Sequence, residues 1–109
     1  MTTSVSSDIL RGHTDTILLG FLRDGDKYGY DLSRLVHERS GRTYELKEAT
    51  MYSSLRRLEG EGLISAYWGD ESLGGRRKYY RITAAGVKAH DALLGEWSRA
   101  RKILDRLMQ

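Results

Sequence analysis

Apolar positions return along this chain with two different periods. Leu10, Ile17, Leu18, Phe21 and Leu22 recur at helical spacing, which predicts one helix from a cap at Ser6 or Ser7 to about Arg23. Asp8 suits the positive end of that helix. Asp24-Gly25-Asp26 reads as a turn. A second helix is predicted from about Gly29 to Arg39, with Leu32, Leu35 and Val36 facing inward and Gly41 placed to take the left-handed conformation that ends it. After a link from Arg42 to Lys47, a third helix runs from about Glu48 to Glu61, and Gly62 stops it. The period then changes to two. Leu63 to Trp68 predicts a strand with Ile64, Ala66 and Trp68 on one face, and Arg76 to Ile82 predicts a second with Tyr80 and Ile82 inward. Between them lies a glycine-rich tip, from Gly69 to Gly75. Thr83 caps a last long helix, about Ala84 to Leu107.

Three helices followed by a hairpin make the winged helix-turn-helix plan. The fold class predicted is mainly helical with a two-stranded β wing. Residues 1–83 would form the winged helix-turn-helix unit, and residues 84–109 a C-terminal dimerisation helix packed on the same domain. The two-helix pair that reads DNA in such folds would be the second and third helices, with the hairpin as wing.

The third helix carries the chemistry that points outward. On a helical wheel Met51, Leu55 and Leu58 form the core side. Ala49, Ser53 and Gly60 lie opposite, flanked by Arg56 and Arg57, with Thr50 and Tyr52 on the shoulders. Small residues admit close approach of another surface, arginines fork onto guanine edges or phosphates, and hydroxyls donate to phosphates. The same pattern also fits an ordinary solvated face in which Glu59 and Glu61 pair with the arginines. The wing begins with Arg76-Arg77-Lys78 directly after Gly74-Gly75, three cations on a hinged hairpin, although Asp70 and Glu71 at its tip would repel phosphate. Together the helix and the wing favour duplex DNA as partner.

Leu93, Trp97, Ala100, Leu104 and Leu107 form a heptad seam on the last helix. It suits packing against a second subunit, against this chain's own first helix, or both. A homodimer would present two reading helices to half-sites about 34 Å apart. Trp97 is bulky for a narrow seam. Two readings stand for it: a core tryptophan, or one wall of a gap that holds a flat aromatic ligand.

Composition narrows the classes. The chain has 109 residues, enough for one domain, with 39% hydrophobic and 30% charged residues, as in ordinary globular proteins. Net charge is +3, which decides little on its own. There is no cysteine, so disulfides and thiolate chemistry are excluded. No apolar run approaches a membrane span, and the first residues lack the features of a signal peptide, so a cytoplasmic protein is predicted. His13, His37 and His90 fall on three predicted helices without metal-ligand spacing, and no nucleophile elbow or phosphate loop occurs. Neither an enzyme nor a cofactor is predicted.

The segments Glu48 to Glu59, Gly62-Leu63-Ile64, Gly75 to Gly86 and Tyr28-Gly29-Tyr30-Asp31-Leu32 together resemble the PadR family of transcriptional regulators. The resemblance runs from about Leu10 to Leu107. The single C-terminal helix, with Tyr67 to Ser72 and Glu96-Trp97-Ser98-Arg99, resembles the smaller subgroup that includes multidrug-binding repressors. That resemblance implies a homodimer with a hydrophobic pore at its interface, where Trp97 from each subunit would sandwich a planar compound. It assigns Ile9, Gly12, Asp15, Thr16 and Leu19 of the first helix, and Leu94, Ala100 and Arg101 of the last, to the pore lining. It also implies repression relieved by an effector. Arg101 departs from the acidic residue of the multidrug subgroup, so an anionic or neutral aromatic effector fits as well as a cationic one. DNA would be held by Tyr28 and Tyr30, by Thr50, Tyr52, Ser53, Arg56 and Arg57, and by Arg76, Arg77 and Lys78. The alternative is a winged-helix protein-interaction module that does not bind DNA.

Overall fold

A computed structural model describes residues 7–69 and 76–109. The predicted cap Ser6 and the wing-tip residues Asp70, Glu71, Gly74 and Gly75 lie outside the described residues.

The first helix is two helices, α1 (Ser7–Arg11) and α2 (Thr14–Arg23). The break falls at Gly12-His13. Gly12 is a poor helix former, and Thr14 turns its hydroxyl back onto the Arg11 carbonyl at 3.0 Å, offering the backbone an alternative to the helical ladder. The His13 amide closes a tight turn onto the Leu10 carbonyl. The apolar spacing continues across this break, so periodicity alone does not register it.

The remaining helices follow the pattern closely. They are α3 (Gly29–Arg39), α4 (Glu48–Gly60) and α5 (Ala84–Met108). Gly41 and Gly62 sit after α3 and α4 at φ 72° and 76°, a conformation glycine enters without a Cβ penalty. The hairpin is β2 (Ile64–Gly69) and β3 (Arg77–Ile82), but the sheet has a third strand, β1 (Lys27–Tyr28), in the order β1-β3-β2. At two residues, β1 is too short to carry an alternation, and it forms because β3 offers an open edge opposite Tyr79 and Tyr80.

One core joins these elements. Leu18, Leu19 and Leu22 of α2 meet Leu32 and Val36 of α3, Met51, Leu55 and Leu58 of α4, and Ile64 and Tyr80 of the sheet. Leu35 is only half-buried. Trp68, expected inward with Ile64 and Ala66, is 57% exposed. The alternation holds, but among the described residues the inner face at Trp68 carries the cations Arg76 and Lys78 in place of the core.

Thr83 caps α5 as its sequence predicts, accepting from the Gly86 amide at 3.0 Å. The first half of α5 packs on α2. Gly20 admits His90, since a Cβ there would stand 3.1 Å from the His90 Nε2. Burial, with the Arg23 charge beside it, holds His90 below the ordinary histidine range. Arg23 also pairs with Asp91 at 2.6 Å. Residues 101–109, the end of α5 and its cap Gln109, are all exposed.

Candidate nucleic-acid interface and effector cleft

The outer side of α4 is the small, open face its wheel predicts. Ala49, Ser53, Arg56 and Gly60 are exposed, and Thr50 is half-buried at the shoulder. Arg57 departs from this face. Its guanidinium forks onto Asp15 of α2 at 2.7 and 2.8 Å, with Glu61 at 3.8 Å, and the Asp15 hydrogen bond raises its pKa further. Two residues expected at different sites, one at DNA and one in an effector pore, are therefore partners. A bidentate pair of this kind fixes the angle of α4 against α2 more than it adds stability, since both groups remain partly solvated.

Tyr52 links α4 to α3. Its hydroxyl fills the space where a Cβ on Gly29 would stand, next to Tyr28 and Tyr30 at the start of α3. Tyr28 and Tyr30 stack with ring centroids 6.3 Å apart, and the Arg77 guanidinium lies 4.8 Å over the Tyr28 ring. Gly29→Ala is expected to push the Tyr52 ring away, because a hydroxyl at the end of a side chain yields before backbone does. The variant should weaken duplex binding several-fold in a gel shift, while its urea midpoint moves little. A large loss of stability with unchanged DNA affinity would contradict this role for Tyr52.

Strand alternation divides the basic run of the wing. Lys78 is opposite Trp68 on the inner face, reaching back over the Tyr80 ring and to within 4.0 Å of Glu59 on α4. Arg76 stacks on Trp68 at 5.3 Å. Arg77 is on the outer face, where Tyr28, Tyr79 and Tyr67 form a row across the three strands. Asp26 anchors this row. It accepts from the Tyr67 hydroxyl at 2.5 Å and pairs with Arg81 at 2.9 Å. The Tyr67 hydrogen bond holds the Asp26 carboxyl below its usual range against a smaller opposing effect of burial, with Arg81 adding to it. The sequence does not reveal Asp26, Tyr67 and Arg81 as a unit, because β1 has no pattern of its own and nothing else brings the α2–α3 turn beside β3.

At the other end of the molecule, Trp97 meets His13 edge-on at 4.7 Å. A cleft of about 110 Å³ opens beside them, lined by Gly12, His13, Thr16, Leu93, Glu96, Trp97 and Ala100. Four of the residues assigned by resemblance thus come together: Gly12, Thr16, Trp97 and Ala100. His13, Leu93 and Glu96 were not expected there. Ile9, Leu94 and Arg101 are exposed outside the lining. Leu19 is 0% exposed and belongs to the core, because α2 turns that side toward α4 and the sheet. Asp15 lines a different cleft, on the α4 side, with Ala49, Ser53 and Arg57. Gly12 borders both clefts, so the α1–α2 break lies between them.

Residues 18–92 match the model of the transcriptional regulator PadR-like family. The chain belongs to this family. A transcriptional regulator from Clostridium thermocellum superposes with a TM-score of 0.89 at 40% identity, over 96% of this chain and 99% of that one. A PadR family regulator from Clostridium difficile R20291 gives 0.79 at 35% identity, over 90% and 100%. An uncharacterised protein of Lysinibacillus sphaericus is 44% identical over 96% of both chains. The negative transcriptional regulator PadR of Bacillus subtilis is 28% identical over 84% of this chain and 50% of its own length. PadR-like proteins are transcription regulators and not enzymes, and this chain is one, on a winged-helix fold. Among the described residues no helix is long and apolar enough to cross a membrane.

Proposed function

We propose that the protein is a homodimeric repressor that binds duplex DNA in a sequence-specific way and is released by a planar aromatic effector at the dimer interface. One observation carries the DNA reading. The small-residue face of α4 is exposed, and the hairpin beside it carries Lys78, which reaches Glu59 of α4, and Arg76 on one face and Arg77, over Tyr28, on the other. The groups assigned to DNA are Tyr28, Tyr30, Thr50, Tyr52, Ser53, Arg56, Arg76, Arg77 and Lys78. Arg57 is assigned to Asp15 instead. The negative regulator of Bacillus subtilis named above supports repression.

The dimer reading rests on α5. Ile103, Leu104, Leu107 and Met108 are exposed at the end of α5, and Leu107 is 75% exposed. Such a run needs a second apolar surface. The effector reading rests on Trp97, 38% exposed beside a cleft of about 110 Å³. Ligand sites usually measure roughly 300–1,000 Å³, so one chain supplies part of a site and a second α5 the rest. Glu96 puts a carboxylate on this lining and Arg101 does not reach it, which admits a cationic as well as a neutral ring.

The deciding experiment is a gel shift with random duplex at low salt, run beside analytical ultracentrifugation. A shifted duplex and a particle of twice the 12.4 kDa chain mass are expected. A dimer that shifts no duplex at micromolar concentration is instead a protein-interaction module. Trp97→Ala should abolish quenching by planar aromatic compounds and leave the dimer intact. Tryptophan emission that ignores every such compound would rule out the effector cleft.

A further inference from the structure

Among the described residues, Trp68 has no packing role that explains it. The inner face of the hairpin pairs Ile64 with Ile82, Ala66 with Tyr80, and Trp68 with Lys78. Ile64 and Tyr80 are buried, whereas Trp68, further out toward the tip, stands 57% exposed. Solvated indole is a poor choice for a wing that only needs to be soluble. The ring is also held in place. Arg76 lies over it at 5.3 Å, and Lys78, paired with it across the strands, leans back over Tyr80 toward Glu59 at the end of α4. The result is an apolar plate with a cation stacked on it and a second cation beside it, on the sheet face that looks toward α4.

That combination matches one kind of surface. Along a DNA groove the anionic phosphates alternate with the apolar faces of deoxyribose. Arg76 and Lys78 complement the first, and the indole complements the second while its N–H remains a donor for a phosphate oxygen. From this geometry we infer that Trp68 is itself a DNA contact, packing against the sugar-phosphate wall of duplex next to the groove entered by α4. This inference rests on the DNA-binding reading above and extends it to a residue that carries no charge.

The lack of charge makes it testable apart from the cations. Trp68 and Trp97 are the two tryptophans of the chain. Titrating the parent protein with random duplex at low salt should quench its tryptophan emission and reduce acrylamide access. In Trp68→Phe, where only Trp97 reports, both changes should vanish. Trp68→Ala should weaken duplex binding about tenfold without altering the slope of log K against log salt, because the count of neutralised phosphates stays the same. Arg76→Ala should flatten that slope by about one unit. If Trp68→Ala folds poorly, Trp68→Phe keeps the aromatic plate and should bind within about threefold of the parent. A duplex that shifts in the gel while parental emission and acrylamide access stay constant overturns the inference alone. A protein that shifts no duplex overturns the DNA reading, and the inference falls with it.

Discussion

Gly86→Ala is expected to cost the fold about 2–4 kcal/mol, although alanine is the better helix former. Gly86 is the third residue of α5, where helix propensity favours alanine by roughly 1 kcal/mol. The opposite sign comes from contact. A Cβ at this position would run into the Leu63 carbonyl oxygen and stand 2.7 Å from Ile82 Cγ1. The Leu63 carbonyl is backbone and is already engaged, accepting from the Thr83 amide at 3.0 Å. Thr83 in turn donates its hydroxyl to the Gly62 carbonyl at 2.7 Å and accepts from the Gly86 amide. The start of β2, the end of β3 and the start of α5 thus meet at one glycine, and none can move without breaking a hydrogen bond of another. Overpacking of this kind costs about 1–3 kcal/mol and a broken cap about 1 more, a large share of the roughly 5–15 kcal/mol that holds a domain together. Urea unfolding of the two proteins measures it. A variant as stable as the parent, or more so, would mean that α5 lifts away freely.

Much of this is readable from residue order, and the parts that are not have physical causes. Both ends of α3 fall where the apolar period and Gly41 place them, and Thr83 caps α5 through the geometry its position suggests. Period and caps are local signals, so they survive without tertiary knowledge. The break at Gly12-His13, strand β1 and the exposure of Trp68 depend on what lies opposite, which no local pattern encodes. The same holds for the sites. The small face of α4 is a property of one helix and is legible. The Arg57–Asp15 fork joins residues 42 positions apart, and each taken alone looks like a group waiting for a ligand. Leu19 illustrates the converse, since an apolar residue beside a proposed pore and an apolar residue in the core are the same letter.

The division of the wing cations has the second large consequence. Arg76→Ala with Lys78→Ala is expected to weaken duplex binding about a hundredfold at moderate salt and to lower the slope of log K against log salt by about two units, since each phosphate left unneutralised takes away about 0.9. Both residues stand on the inner face of the hairpin, so in the proposed complex both would meet the same stretch of backbone. Neither is tied up strongly. The Lys78–Glu59 pair is 4.0 Å long between half-exposed groups, and such pairs are worth little in water. The weakening should be nearly the same for every DNA sequence, because phosphate contacts position the protein without reading bases. Ser53 or Arg56 substitutions should do the reverse, changing which sequences are preferred and leaving the salt slope near its parental value, if the exposed face of α4 enters the groove as proposed. Arg77 is on the other face over Tyr28, so its removal should add to the double variant independently. A salt slope unmoved by the double substitution would take the inner face of the wing off the DNA and leave α4 with Tyr28 and Tyr30 to hold it.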